Sequence, residues 1–219
     1  MKKIIFLASG GGGNLKFIHK YSLEFPNLYN ICYLIADRNC GAIDYANDND
    51  IPNSIHSFKR NTDDDKLLIS EISNINPDII ITNVHKILST RVVNVFSGRL
   101  LNLHYSHLPA FGGLIGMKTV DKAIQRGNLF IGCTAHYVDE GVDTGISISQ
   151  GFVINNESEN IYQSVFECGA FTLLTAILKI IGLADENYKL FNHIIISPSS
   201  TFIDFTVAQK IFNELKEIK

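Results

Sequence analysis

Ile4-Ile5-Phe6-Leu7-Ala8-Ser9-Gly10-Gly11-Gly12-Gly13-Asn14-Leu15 decides the architecture of this chain. An apolar run of strand length enters a glycine turn, and a helical stretch starts near Leu15. A short strand without polar alternation has both faces covered, as in a parallel sheet between helices. The pattern recurs: apolar strands over 30–36, 54–56, 78–83 and 100–104 alternate with helical stretches over 42–49, from the Thr62 cap, and over 89–96. Asp63, Asp64 and Asp65 follow Thr62, where they complement the helix dipole. After residue 128 two strands, 130–138 and 146–152, are joined by a turn, and helices are expected over 161–183 and 207–219. The pattern predicts an α/β fold. Its sheet is mostly parallel, doubly wound (Rossmann-like) and flanked by helices, with an antiparallel strand pair toward the C-terminal part.

The 219 residues are 46% apolar and 19% charged, with a formal charge of -3. That balance describes one globular domain with a substantial core. It offers no general attraction to nucleic acid or an acidic membrane, so neither is expected as a partner, while small anionic substrates stay open. Cys32, Cys40, Cys133 and Cys168 form no CxxC pair and lack nearby histidines at ligand spacing, so no metal and no disulfide framework is expected. The N-terminal apolar stretch is too short for a signal peptide, and no later run reads as long and apolar enough to span a bilayer. The expected location is cytoplasmic.

Glycines after the first strand let backbone N–H groups point at an anion above a helix N-terminus. The plain alternative is a tight strand-to-helix turn. Asp37, ending the second strand, stands where a ribose-binding acid would, but Gly10-x-Gly12-x-x-Leu15 lacks the third glycine of a dinucleotide fingerprint. No Gly-Lys-Ser/Thr follows, which argues against a P-loop. A monophosphate held by Gly12, Gly13 and the Asn14 side chain is the favoured guest.

Asn102 and His104 lie two apart on a strand, hence on one face, roughly 6–7 Å apart. Asp143, in Val138-Asp139-Glu140-Gly141-Val142-Asp143-Thr144-Gly145, is in a turn able to return a carboxylate to that strand end. Amide, imidazole and carboxylate together can stabilise an oxyanion and move a proton, which points to acyl transfer. Each has a plainer reading: core amide, structural histidine, turn-former. Leaving Asn or His buried without partners would cost about 1–3 kcal/mol each, so they need partners or a function. His107 is a candidate pocket-lining residue and His136 a support for the site. His19, His56, His85 and His193 are scattered without metal-ligand spacing.

From about Lys3 to Thr172 the chain resembles the glycinamide ribonucleotide (GAR) formyltransferases, folate-dependent enzymes of purine synthesis. Gly98-Arg99-Leu100-Leu101-Asn102-Leu103-His104-Tyr105-Ser106-His107-Leu108-Pro109 carries the N-x-H-x-S-x-L-P motif, and His136 to Gly145 carries H-x6-D-x-G. Ser9 to Leu15 is similar to the loop that holds the GAR phosphate. The resemblance implies catalytic roles for Asn102, His104 and Asp143, and phosphate binding by Gly12, Gly13 and Asn14. It places Glu167 at the glycinamide end, Arg60 and Lys86 near the folate, and Ile87, Leu88 and the Glu140-Gly141-Val142 turn against the pteridine. The co-substrate implied is 10-formyltetrahydrofolate, with no metal. Departures are Tyr105 for proline, His107 for leucine, Gly13 for serine or threonine, Met117 for histidine, and Cys168 after Glu167 where the family has histidine.

Residues 1–219 are therefore expected to form a single formyltransferase domain, with a phosphate-binding half over about 1–100 and a catalytic, folate-binding half over about 101–219. The expected reaction is formyl transfer from 10-formyltetrahydrofolate to the amine of GAR, by a monomer or homodimer. Two alternatives stay open: another amine acceptor such as a nucleotide-linked amino sugar, and a dinucleotide-binding module using Asp37.

Overall fold

The buried run of β1 (Lys2–Ala8), whose last five residues are inaccessible, anchors the N-terminal half of the fold. The computed structural model describes residues 1–155, 160–185, 187–191 and 194–217, so His193 and the end of the expected 207–219 helix lie outside the described residues. The chain divides into two compact units: Met1–Asn102 with Val138–Glu140 and Asn213–Lys219, and Leu103–Tyr137 with Gly141–Phe212. The fold is α/β, a mostly parallel sheet flanked by helices with antiparallel strands in its C-terminal part.

In the first unit β1 pairs in parallel with β2 (Tyr29–Ala36) and β4 (Ile79–Asn83). β2 pairs with β3 (Asn53–Ile55), and β4 with β5 (Leu100–His104), all in parallel. The order β3-β2-β1-β4-β5 reverses direction where β1 meets β4. In open α/β sheets the carboxyl ends of the strands at such a switch point are where ligands bind. Helices α1 (Gly13–Glu24), α2 (Gly41–Asp48), α3 (Asp63–Ile75) and α4 (Thr90–Val95) supply the connections that parallel strands require. The Thr62 hydroxyl accepts from Asp64 N at 3.3 Å and caps α3, with three aspartates in its first turn. Ser89 caps α4 in the same way through Val92 N. Ile5 and Leu7 of β1, Ile80 of β4, Leu68 and Ile72 of α3, and Val92 and Phe96 share one buried cluster. Each such side chain contributes about 1.5–3 kcal/mol of transfer free energy.

The second unit contains α5 (Lys118–Gln125), β6 (Phe130–Tyr137), β7 (Ser147–Ile154), α6 (Ile161–Ile180), β8 (Lys189–Phe191), β9 (Ile194–Ser197) and the first part of α7 (Phe205–Glu217). Its strands are antiparallel in the order β6-β7-β9-β8, and α6 packs on β6, β7 and β9. By length and composition α6 could cross a bilayer, contrary to the expectation that no run would pass that test. Its most apolar window is 78% buried within the protein, so it serves as the core helix. α6 stops at Ile180, short of the expected 183, and Gly182 follows with φ 80°.

α5, β8 and β9 lie outside the sequence expectation. No side chain caps α5, whose buried residues are only Thr119, Val120 and Ala123, so it has neither a start signal nor a long apolar stripe. β8 and β9 span three and four residues, too short for period-2 alternation to register. β7 starts one residue after the expected 146 and ends two residues after the expected 152.

β6 leaves room for the loop that follows His104. A Cβ at Gly132 would lie 2.7 Å from His107 Cβ and 2.9 Å from His107 N. The same loop is tied down by Thr134 Oγ1, which donates to Ser106 O at 2.8 Å and accepts from Leu108 N at 3.1 Å. Gly132→Ala is expected to lower the unfolding free energy by about 1–3 kcal/mol in urea titrations. An unchanged midpoint would mean that the loop yields without cost.

Candidate active site

His104 ends β5 and is buried, its imidazole enclosed by oxygens of the second unit. Nδ1 lies 2.9 Å from Ser106 Oγ, and Nε2 lies 3.1 Å from Leu114 O and 3.2 Å from Asp143 Oδ2. Asp143 returns to this point through the loop joining β6 and β7, which closes with a Tyr137 N–H to Ile146 O hydrogen bond. Its backbone is left-handed, φ 56°, a region that Asp enters more readily than most residues. Asp143 Oδ2 also accepts from Gly113 N at 2.8 Å, and Oδ1 lies 3.6 Å from His136 Nε2. His136 Nδ1 in turn meets Tyr137 O at 2.9 Å. Burial pushes the Asp143 carboxyl up, but hydrogen bonds from His104, His136 and the Gly113 N–H outweigh it and hold the group well below the usual carboxylate range.

Asn102 belongs to the first unit. Thr82 Oγ1 lies 3.3 Å from its Oδ1 and 3.3 Å from Leu101 O, so one hydroxyl proton serves two acceptors on β5. In the same unit Gly12, at φ 73°, is the N-cap of α1, a left-handed position that suits glycine. A Cβ there would also come 3.0 Å from Ala42 Cβ. α1 starts at Gly13, two residues before the expected start. The first N–H groups of a helix lack intrahelical acceptors, which suits an anion. Asn14 is buried, with Nδ2 3.4 Å from Asn83 Oδ1.

Asp37 has no exposed side-chain surface. Arg38 donates from Nε to Oδ1 at 2.9 Å and from Nη2 to Oδ2 at 2.7 Å, and Lys86 Nζ lies 3.5 Å from Oδ2. The Arg38 hydrogen bonds, with help from Ser9 and the Lys86 charge, hold this carboxyl below its ordinary value against the effect of burial. A carboxylate so engaged has little left for a ribose, which counts against the dinucleotide alternative. Lys86 also donates to Ser57 O. Arg60 is exposed, Ile87 is 55% exposed, and Leu88 is buried. Glu140 is exposed and accepts from Asn94 Nδ2 at 3.0 Å, within the first unit.

In the second unit Gly141 and Val142 are exposed, while Glu167 on α6 is buried and accepts from Gln163 Nε2 at 2.8 Å. His107 is exposed and meets Phe152 edge-on. Cys133 and Cys168 are buried. Among the described residues no group of three or more His, Cys, Asp or Glu is placed to hold a metal ion. Ser106, Gly113 and Leu114 stand at the site beyond the residues expected from sequence. A serine two residues after the histidine was a visible signal for the first. The other two act through backbone atoms and left no trace in residue type.

Residues 2–177 match the family model for formyl transferases. A chloroplastic phosphoribosylglycinamide formyltransferase of Arabidopsis thaliana is 30% identical over 160 residues, covering 69% of this chain and 55% of that protein. The Haemophilus influenzae phosphoribosylglycinamide formyltransferase is 31% identical over 159 residues, covering 70% of this chain and 73% of its own. The chain thus spans less than two thirds of the plant relatives it matches. The fold is similar to that of glycinamide ribonucleotide transformylase 1 from Symbiobacterium toebii, with TM-score 0.74, 24% identity, and coverage of 88% of this chain and 92% of that one.

The depressed titration of Asp143 has a consequence for stability. In the unfolded chain the carboxyl takes up its proton near an ordinary value of ~4, whereas in the folded protein it stays ionised to lower pH. Its contribution to stability is therefore present above that pH and lost as pH falls toward the folded value. As pH falls below about 4, urea midpoints should drop more steeply for the wild type than for Asp143→Asn. Parallel curves would show that the ionised carboxylate contributes nothing to the fold.

Proposed function

The chain belongs to the formyl transferase family, and we propose that it moves a formyl group from 10-formyltetrahydrofolate to the primary amine of 5'-phosphoribosylglycinamide, a step of purine biosynthesis. The reading rests on one observation above the others: His104 Nε2 and Asp143 Oδ2 lie 3.2 Å apart in a buried setting that keeps the carboxylate charged. The names of the phosphoribosylglycinamide formyltransferase relatives support the choice of substrates.

In this reaction the amine nitrogen attacks the formyl carbon, and a C–N bond forms as the carbonyl oxygen becomes an oxyanion. His104 Nε2–H donates to that oxygen. Asn102, two residues earlier on β5, supplies a second donor, its amide oxygen being engaged by Thr82. The Asp143 carboxylate orients the imidazole and balances its charge. The C–N bond to the folate nitrogen then breaks, and the proton released by the attacking amine passes to that leaving nitrogen, with Asp143 and water as carriers.

The Gly12–Gly13 turn and the Asn14 side chain are assigned to the substrate phosphate, and Glu167 to its glycinamide end. Arg60, Lys86, Ile87 and Leu88, with the Glu140-Gly141-Val142 turn, are assigned to the folate. We place the work in the cytoplasm, by a monomer or homodimer of a single domain with a phosphate-binding half and a catalytic half.

Steady-state formyl transfer to GAR, followed by folate absorbance, tests this directly. His104→Ala and Asp143→Asn are each expected to lower kcat by about 100-fold or more with little change in KM for GAR. Asn14→Ala should instead raise that KM about 10-fold, as loss of a hydrogen bond to a charged group does. Near-normal kcat in His104→Ala would remove it from the chemistry. Loss of formyl from the folate without GAR would make water the acceptor.

A further inference from the structure

Ser106 is 4% exposed and is used by nothing in the mechanism above. Its hydroxyl carries one proton, and its neighbours decide where that proton goes. Ser106 Oγ donates a hydrogen bond to the Ala110 carbonyl. A carbonyl can only accept, so the serine proton is committed there. Towards His104 Nδ1, at 2.9 Å, Ser106 can then present only a lone pair, and Nδ1 must be the donor. Nε2 faces the Leu114 carbonyl at 3.1 Å and the Asp143 carboxylate at 3.2 Å, neither of which has a proton to give. All the hydrogen bonds are satisfied together only by an imidazole protonated on both nitrogens. Asp143 is the ionisable group that meets His104, and His136 meets the other oxygen of that carboxylate at 3.6 Å.

We propose that Ser106 is a positioning residue for the transfer reaction, holding His104 as a donor at both ring nitrogens so that Nε2–H is always available to an oxygen at the reacting centre. This rests on the formyl-transfer reading. The acceptor that Nε2 meets is itself a carbonyl oxygen, that of Leu114, the same kind of acceptor as a formyl group. The alternative role for Ser106 is to close the turn to Ala110 and no more. A turn role leaves the ring's protons untouched by loss of the hydroxyl, whereas a positioning role moves one of them.

Nitrogen-15 NMR of histidine-labelled protein at neutral pH separates the two, with His104→Gln identifying the signals. Both His104 nitrogens should appear protonated in the wild type. Nδ1 should lose its proton in Ser106→Ala and keep it in Ser106→Thr, which restores the hydroxyl. In turnover, Ser106→Ala should lose about 10-fold in kcat with KM for GAR within about 2-fold, and Ser106→Thr should recover most of the loss. An unprotonated Nδ1 in the wild type would overturn the proposal whether or not either variant folds. So would a Ser106→Ala protein that keeps both protons. The spectrum is read without turnover, so the predicted proton pattern in a protein that transfers no formyl group would support the hydrogen-bonding role of Ser106 and count against formyl transfer alone.

Discussion

One half-buried carboxylate organises the second unit. Taking Asp143 out of water disfavours its charge, and the charge persists only because donors meet it: Gly113 N–H, His104 Nε2, and His136 Nε2 at a longer distance. Those donors come from three stretches of chain: the end of β5, the glycine-rich segment that follows, and β6. Remove the carboxylate and the glycine-rich segment loses its anchor at Gly113 while the imidazole loses its counter-charge.

A second carboxylate, the buried Asp37, shows what separates a structural acid from a reactive one. Asp37 and Asp143 are both largely hidden, and both are kept charged by neighbours. Asp37 is clasped by a guanidinium that takes both of its oxygens, an arrangement with permanent charge on each side and no proton to move. Asp143 faces imidazole nitrogens, which can pass a proton on where a guanidinium cannot. Where the lone pairs go, rather than burial or charge alone, assigns Asp37 to holding the end of β2 and Asp143 to the proposed chemistry.

Much of this was legible in the chain. Apolar runs such as Ile4 to Ala8 and Ile79 to Ile81 could only be strands buried on both faces, and those residues are buried. The capped start of α3 followed from Thr62, whose side chain makes the expected backbone contact. What escaped had weak local signals. α5 lacks a capping side chain, and β8 and β9 are too short for alternation to register, so their order comes from pairing, β9 with β7 and β8 with β9, rather than from local pattern. α6 misled in another way: composition alone does not separate a core helix from a membrane span, because both exclude water.

The sequence by itself determined the order of elements as far as β5, the parallel character of the first five strands, and the glycine turn ahead of α1. These follow from periodicity and from backbone rules that act over a few residues. Tertiary structure alone decided that Asp143 reaches His104 from about forty positions away. It also decided that Leu114 and Gly113 serve through backbone atoms, and that Ser106 faces the imidazole with its proton already committed to Ala110. A hydrogen bond depends on where atoms stand and which of them holds the proton. Residue spacing cannot encode either once the chain turns back on itself.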